Sequence, residues 1–361
     1  MSIQGSALQV ITTSARRGAE VFAVDLERAL CARGRDARTV ALVPGHDARA
    51  RLEVPVLGDR RLALSTLRHL RTRIRDSEVV VGHGSSTLPA CAIAGLATGV
   101  PFVYRNVGDP AFWGTTRARR ARVGLFLRRA NVVVALTART ADALAQRYGV
   151  PRPKIRVIPK GVPADRFPLV DATGRAAARR ALGIGDGASV VAYVGALSPE
   201  KDPEGAIRAV ALLGDAQLVM AGEGPEREHL ERLAAEVSPG RVSFLGPVDD
   251  PGVVYAAADT LVVSSRTEGL PGVLMEAGLS GLPAVTTDVG FVRDIVRDGE
   301  TGFVVAPGDP TALAAGIRAA LAASPTVGPA ARAHCLARFD LAWIAQQWDA
   351  LLTEVVAGRT R

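Results

Sequence analysis

Short apolar runs alternate along the chain with longer segments in which apolar residues recur every three or four positions. The runs that predict buried strands lie at 8–13, 38–43, 79–81, 101–105, 131–136, 154–158, 190–194, 217–220, 241–245, 260–263, 284–286 and 302–305. Helical spacing is clear at 62–75 and 203–213, and the tail predicts two further helices at 311–322 and 339–356. Because strands and helices alternate, the pattern predicts an α/β protein with parallel sheets and right-handed crossovers.

A stretch rich in proline and glycine, Val157-Ile-Pro-Lys-Gly-Val-Pro-Ala-Asp-Arg-Phe167, interrupts this alternation. With 361 residues, the chain is long enough for two domains of ordinary size. We therefore predict two Rossmann-like domains, 1–165 and 166–340, whose parallel sheets face a cleft between them. The last segment, 341–361, is expected to be a helix that crosses back toward the first domain.

The richest candidate site follows the apolar run Thr260-Leu-Val-Val263. A polar, glycine-rich turn there carries Glu268, and a second carboxylate, Glu276, comes eight residues later. Pro271 lies where the first turn of a helix tolerates proline, so the segment predicts a strand, a turn and a helix N-terminus. The free N–H groups and the positive dipole end of such a helix favour a phosphate. A surface glutamate that only offsets the helix dipole is the alternative.

Two glycine-containing turns in the first half are further candidates. His83 lies between two glycines after the strand 79–81, where open α/β sheets bind ligands. Gly18, directly after Arg17, would let the backbone approach a ligand closely. The alternatives are a histidine that only forms a hydrogen bond within its loop, and a plain tight turn. This turn lacks a Gly-x-Gly-x-x-Gly fingerprint, so dinucleotide binding gains little support.

Charge is distributed unevenly along the chain. The formal net charge is +8, but residues 1–168 hold 28 basic and 12 acidic side chains, whereas residues 169–361 hold 16 and 24. A basic first half favours an anionic partner, such as an acidic lipid or a phosphorylated acceptor. Its most basic segment, 113–130, would form an amphipathic helix able to lie on an anionic membrane. A surface helix that packs its apolar side on the sheet, with its arginines in water, is the alternative.

Several classes of protein are disfavoured. The three cysteines are far apart and lack a Cys-x-x-Cys pair, which argues against disulfides and structural zinc. No run is long and apolar enough to span a bilayer, and the first residues lack the features of a signal peptide. A nucleic-acid-binding protein is also disfavoured, because the sequence does not interleave basic and aromatic residues. We expect a cytoplasmic protein that does not bind nucleic acid. We also expect it to contact the inner face of the membrane as a peripheral protein.

Several motifs resemble those of the retaining GT-B enzymes of glycosyltransferase family 4, the group 1 glycosyltransferases. The segment Glu268-Gly-Leu-Pro-x-x-x-x-Glu276 is similar to the Glu-x7-Glu signature of that family. Val194-Gly-Ala-Leu-Ser-Pro-Glu-Lys201 resembles its donor-phosphate loop, although Ala196 stands where the family often has arginine. Further similarities lie at 157–167, 222–225 and 244–246 in the second half, and looser ones at 17–20 and 82–83 in the first.

This resemblance implies a GT-B fold and the transfer of a hexose-type sugar. The donor would be a nucleoside-diphosphate sugar, and the acceptor a hydroxyl of a glycan, of a lipid-linked or anionic molecule, or of a small glycoside. Catalytic roles are implied for His83, Lys201 and Glu268. Donor binding is implied for Gly195, Lys201, Glu268, Gly269, Leu270, Pro271, Gly272, Val273 and Glu276. Leu245 and Gly246 would lie near the base, and Arg17 and Gly18 would form a glycine loop on the acceptor side.

The resemblance also implies how these groups act. Lys201 would contact the diphosphate, Glu268 would hold the hexose and Glu276 the ribose, while His83 would lie near the reacting sugar. An Asp-x-Asp motif is lacking, so neither a metal nor another cofactor is expected. The alternatives are a sugar-nucleotide epimerase with the same fold and a non-catalytic protein that binds anionic surfaces. A pyridoxal-phosphate phosphorylase gains little support, because lysine occurs at only three positions.

Overall fold

A computed structural model of the chain describes residues 4–45, 51–108, 110, 113, 116–185 and 187–358. The chain divides into two compact units, Met1–Val162 with Leu341–Arg361, and Pro163–Asp340. Each unit contains a six-stranded sheet whose strands pair in parallel. The predicted α/β class with two Rossmann-like sheets is therefore confirmed.

The first unit follows the predicted alternation of strands and helices. Its elements are β1 (Gln4–Thr13), α1 (Gly18–Ala32), β2 (Arg35–Val43), α2 (Leu64–Arg75), β3 (Val79–His83), α3 (Thr87–Ala94), β4 (Phe102–Arg105), α4 (Arg117–Arg129), β5 (Val132–Ala135), α5 (Ala138–Tyr148) and β6 (Ile155–Val157). The sheet order is β2-β1-β3-β4-β5-β6, so the order reverses between β1 and β3. His83 and Arg105 are paired in register, which aligns the carboxyl ends of β3 and β4.

Successive side chains of these strands point to opposite faces of the sheet and give the unit two cores. On one face, α2, α3, α4 and α5 cover side chains such as Val10 and Val80. On the other face, Phe22 of α1 and Trp348 from the C-terminal end of the chain pack near Val81. Both faces of the sheet are therefore buried, which explains why its strands read as continuous apolar runs.

The second unit repeats this architecture with another strand order. Its elements are α6 (Ala172–Ala181), β7 (Val190–Val194), α7 (Pro203–Ala211), β8 (Gln217–Ala221), α8 (Arg227–Val237), β9 (Val242–Gly246), α9 (Gly252–Ala257), β10 (Thr260–Val263), α10 (Gly272–Leu279), β11 (Ala284–Thr287), β12 (Gly302–Val305) and α11 (Pro310–Phe339). The sheet order β12-β11-β10-β7-β8-β9 is that of a dinucleotide-binding Rossmann fold. It reverses between β7 and β10.

Helix α11 extends well beyond the helix predicted at 311–322. It continues through Pro325 and Pro329, although proline removes a backbone donor and usually ends a helix. Packing compensates for this cost, because Cys335 is buried and lies against Gly278 of α10, where a Cβ atom would collide with its sulfur. Neither α11 nor any other helix in the described part of the chain is both long and apolar enough to cross a membrane.

The C-terminal helix, α12 (Leu341–Ala357), is part of the first unit. Its buried face includes Ile344, Trp348 and Leu352 and packs beside α1. The guanidinium group of Arg35, at the start of β2, donates hydrogen bonds to Asp349 Oδ1 and to Thr353 Oγ1, both at 2.6 Å. Helix α12 therefore supplies both apolar area and a buried ionic contact to a sheet far away in sequence.

We predict that Trp348→Ala lowers the free energy of unfolding by about 3–5 kcal/mol, because it leaves a large cavity between α12 and the sheet. Trp343→Ala is the matched control, since Trp343 is on the same helix with its side chain 49% exposed, and it should change stability by no more than about 0.5 kcal/mol. Urea unfolding followed by circular dichroism measures both. Equal losses in the two variants would contradict the packing described for α12.

Candidate active site

The loops that follow β7 and β10 meet where the strand order of the second sheet reverses. In open α/β sheets, ligands bind in the crevice outside the carboxyl ends of the strands at such a reversal. The loop after β7 contains Gly195 and Lys201, and the loop after β10 contains Glu268. Topology therefore brings together two segments that the sequence marked separately.

Lys201 and Glu268 are in direct contact. The ammonium group of Lys201 donates to Glu268 Oε1 at 2.7 Å, and the Ser265 hydroxyl donates to the same oxygen at 2.7 Å. The carboxylate is nearly buried, with 7% of the side chain exposed, whereas 31% of the lysine side chain is exposed. The lysine thus offsets a buried negative charge and still reaches the surface.

Helix α10 begins directly after this turn. Its first residue is Gly272, and Pro271 precedes it without a side-chain cap. The N–H groups of Gly272, Val273 and Leu274 have no acceptor within the helix, because first-turn donors lack a partner four residues back. These donors and the positive end of the helix dipole form a site suited to a phosphate beside Lys201.

Close backbone contacts fix both loops. A Cβ atom at Gly290, which has φ of +59°, would collide with the carbonyl oxygen of Glu268, and the Phe291 N–H donates to the carbonyl of Gly269 at 3.1 Å. A Cβ atom at Gly222 would likewise collide with the carbonyl oxygen of Gly195. The glycines at 222 and 290 therefore allow neighbouring loops to lie against the candidate site.

Two polar partners in this site escaped the sequence analysis. Tyr255 of α9 donates to Glu276 Oε2 at 2.9 Å, and burial, followed by the charge of Glu276, raises the pKa of the tyrosine well above its usual value. Arg266 donates to Asp202 Oδ1 at 3.1 Å, next to Lys201. The only sequence signal for Tyr255 is a tyrosine before the strand β10, which is too common a pattern to identify a partner for Glu276.

Two predicted features border this site less directly. The carbonyl of Ala196, at the position where the resembled family often has arginine, accepts a hydrogen bond from the Tyr193 hydroxyl at 2.9 Å. Leu245 and Gly246 end β9, and the Gly246 carbonyl accepts from the Gly222 N–H at 2.8 Å. The segment predicted to lie near the base is therefore joined to the loop that contacts Gly195.

In the first unit, His83 lies at the corresponding reversal, between β1 and β3, but it is only 2% exposed. The amide of Gln9 donates to the carbonyl of Ala23, so its oxygen accepts from His83 Nε2 at 3.0 Å. Burial, and then the charge of Arg105, hold the pKa of His83 well below its usual value. The imidazole is therefore neutral at pH 7 and has its Nε2 protonated.

Arg105 was not singled out from the sequence, yet it is the most unusual group near His83. It is 1% exposed, lies over the ring of Phe22 at 3.9 Å, and its Nε and Nη1 atoms have no hydrogen-bond partner in the described residues. Burial lowers the pKa of Arg105 to about 9 and raises that of Glu20. Arg17 and Gly18, by contrast, are exposed at the start of α1.

We predict that the free energy of unfolding falls as the pH is lowered from 7.5 to 5.5, partly through His83. Below about pH 6.5 this histidine takes up a proton in the unfolded chain but not in the folded chain. The free energy of unfolding therefore falls by up to about 1.4 kcal/mol for each pH unit. His83→Gln should remove that part of the slope, whereas His229→Gln, at an exposed position, should leave it. The raised pKa of Glu20 changes the free energy of unfolding with pH in the opposite direction, but equally in the wild type and both variants. The difference between the pH slopes, measured by urea unfolding, therefore isolates the contribution of His83.

Two family models match the chain. One, described as Glycosyltransferase Family 4, matches residues 16–166, and the other, described as Glycosyl transferases group 1, matches residues 174–332. Together they span most of both units. No cluster of three or more histidine, cysteine or acidic side chains that could hold a metal occurs in the described ranges.

Curated relatives carry glycosyltransferase names. A D-inositol 3-phosphate glycosyltransferase of Nocardia farcinica is 36% identical over 239 residues, which is 62% of this chain and 49% of the relative. A 2-deoxystreptamine glucosyltransferase of Streptomyces kanamyceticus is 34% identical over 202 residues, 54% of this chain and 52% of the relative. The chain thus spans about half the length of the curated relatives it matches.

Solved structures share the fold. HepE of Anabaena, solved with UDP-glucose, has a TM-score of 0.84 at 22% identity, covering 97% of this chain and 100% of that one. A sucrose-phosphate synthase of Thermosynechococcus elongatus has a TM-score of 0.80 at 23% identity, covering 98% and 100%. With both units matched by family models and the whole fold matched by these structures, the chain belongs to the group 1 glycosyltransferases of family 4 and has the GT-B fold.

Proposed function

We propose that this chain transfers a hexose from a nucleoside-diphosphate sugar to a hydroxyl acceptor, with retention of the anomeric configuration. The observation that carries the proposal is the contact of Lys201 with Glu268 beside the free N-terminus of α10. A cation, an aligned set of backbone donors and a carboxylate are what a sugar diphosphate requires. Family membership and the topological position of the site support the same conclusion.

The diphosphate is the group whose charge must be stabilised. As the bond between the anomeric carbon and the phosphate oxygen breaks, negative charge develops on the leaving nucleoside diphosphate. Lys201 and the first-turn N–H groups of α10 are already oriented, so they stabilise this charge without reorganising, an effect typically worth several kcal/mol. We propose that these groups do so without a metal or another cofactor.

Glu268 is suited to hold the sugar rather than to attack it. Its contacts with Lys201 and Ser265 both involve Oε1, which leaves Oε2 available among the described residues for a sugar hydroxyl. We infer that the acceptor oxygen bonds to the anomeric carbon on the face from which the diphosphate departs. The departing phosphate takes the acceptor proton, so a single displacement retains the configuration.

For the donor and acceptor, we propose a UDP-linked hexose and a polyol hydroxyl near an anionic group. The HepE structures contain UDP and UDP-glucose, and several curated relatives are named for inositol 3-phosphate. The basic first half of the chain supports an anionic acceptor or surroundings. We also propose that the chain works in the cytoplasm, as a peripheral protein on the inner face of the membrane. Its three cysteines are unpaired thiols, as the reducing cytoplasm favours.

We predict that Lys201→Ala and Glu268→Gln each lower kcat by roughly a hundredfold or more, because each removes a preorganised charge at the reacting centre. Glu204→Gln is the matched control, since Glu204 pairs with Arg208 on an exposed surface of the same unit and should keep full activity. Release of UDP from UDP-glucose in the presence of polyol and glycoside acceptors measures all three. Full activity in both site variants, with unchanged circular dichroism, would refute the assignment of the site.

We predict that Tyr255→Phe weakens UDP binding roughly tenfold, because it removes the hydrogen bond that orients the Glu276 carboxylate toward the ribose. Tyr148→Phe is the matched control, since it removes another buried hydroxyl, which donates to the carbonyl of Pro110 at 2.7 Å in the first unit. Isothermal titration calorimetry with UDP measures both. If Glu276 acts on the ribose through this contact, adding Tyr255→Phe to Glu276→Gln should cause little further loss.

A further inference from the structure

The helices on the two faces of the first sheet differ in charge. On one face, α2 has four arginines, α4 six and α5 two, while the four helices of that layer hold one carboxylate, Asp142. On the other face, α1 and α12 hold five carboxylates and one arginine, Arg28. The positive charge seen in the sequence is thus concentrated on one side of the unit.

The arginines of α2 and α4 are not neutralised locally. None of these ten side chains forms an ion pair with a carboxylate within the described residues, and eight of the ten are exposed. Arg71 has backbone partners instead. Its guanidinium group donates to the carbonyls of Ala94 and Leu96 and so joins α2 to the end of α3. The other arginines leave a broad field of positive potential over the layer.

Large aliphatic side chains are exposed on the same layer. Leu64 of α2 is 63% exposed and Leu125 of α4 is 57% exposed, and Ile93 and Leu96 are exposed at the end of α3. Leucines of this kind stand among arginines whose long stems can follow an apolar surface while the charged ends remain in water. We name this surface, formed by α2, α3 and α4, the arginine–leucine layer.

We propose that the arginine–leucine layer docks on an anionic lipid membrane, an inference that rests on the peripheral membrane placement proposed above. Arginine pairs with lipid phosphates, and the exposed leucines enter the boundary between headgroups and acyl chains. Single-stranded nucleic acid fits the surface less well, because the exposed apolar groups are aliphatic, whereas proteins that bind single strands stack the bases on aromatic side chains. The sequence pointed to α4 alone, whereas the fold adds α2 and α3 by placing them on the same face.

The test is co-sedimentation of the full chain with vesicles of phosphatidylcholine, with or without phosphatidylglycerol. The triple variant Arg68→Gln/Arg119→Gln/Arg122→Gln should lower the partition coefficient on anionic vesicles more than tenfold. The matched triple Arg180→Gln/Arg232→Gln/Arg318→Gln changes the net charge equally at exposed positions of the other unit and should lower it less than threefold. Raising the salt concentration should weaken binding of the wild type, since exposed charges are screened.

The aliphatic side chains have a separate test. Leu64→Ser/Leu125→Ser should weaken binding to anionic vesicles several-fold while leaving UDP binding unchanged. Absence of binding of the wild type to anionic vesicles, or equal losses in the two arginine triples, would overturn the proposal. So would an effect of the first triple on binding to single-stranded RNA but not to vesicles. Because no readout involves sugar transfer, failure here is distinguishable from failure of the proposed reaction.

Discussion

The ion pair of Lys201 and Glu268 joins two loops that are 67 residues apart in sequence. It can form because β7 and β10 are neighbours at the point where the strand order reverses, so both loops leave the sheet at the same edge. The pair sets an ammonium group against a nearly buried carboxylate, in the turn that leads into α10. The proposed reaction depends on this arrangement, because a diphosphate needs positive groups that are in place before it arrives.

Glycines make that arrangement compact. At Gly222 and Gly290 a side chain would collide with a backbone carbonyl of the opposing loop, so these positions set how closely the loops can approach. Such contacts fix the backbone around Gly195 and Glu268 without using any functional side chain. Rigid loops are also suited to electrostatic catalysis, since stabilisation is largest when the donors do not reorganise.

The first unit differs from the second in its buried polar groups and in the charges of its helices. Its strand ends carry a buried neutral histidine and a buried guanidinium with unpartnered nitrogens, and unsatisfied groups of this kind cost stability. Its two helix layers differ in charge. Helices α2 and α4 carry ten arginines without a carboxylate partner among the described residues, whereas Asp349 and Glu354 of α12 pair with Arg35 and Arg156. On the face covered by α1 and α12, Trp348 is buried in the core. The C-terminal helix therefore supplies much of the apolar core on that face.

The α/β class and the strands are predictable from the sequence, because the burial of both sheet faces leaves apolar runs that are visible locally. The sequence also marked Glu268, in the turn after a predicted strand, and Lys201, through the resemblance of its loop to the family's donor-phosphate loop. It did not predict the continuation of α11 through Pro325 and Pro329, which packing against α10 stabilises. Folding brings Lys201 to Glu268 and Tyr255 to Glu276. It also buries His83 beside Arg105 and places the arginines of α2 and α4 on one face of the sheet. Each of these depends on contacts between distant segments, which no local pattern of residues encodes.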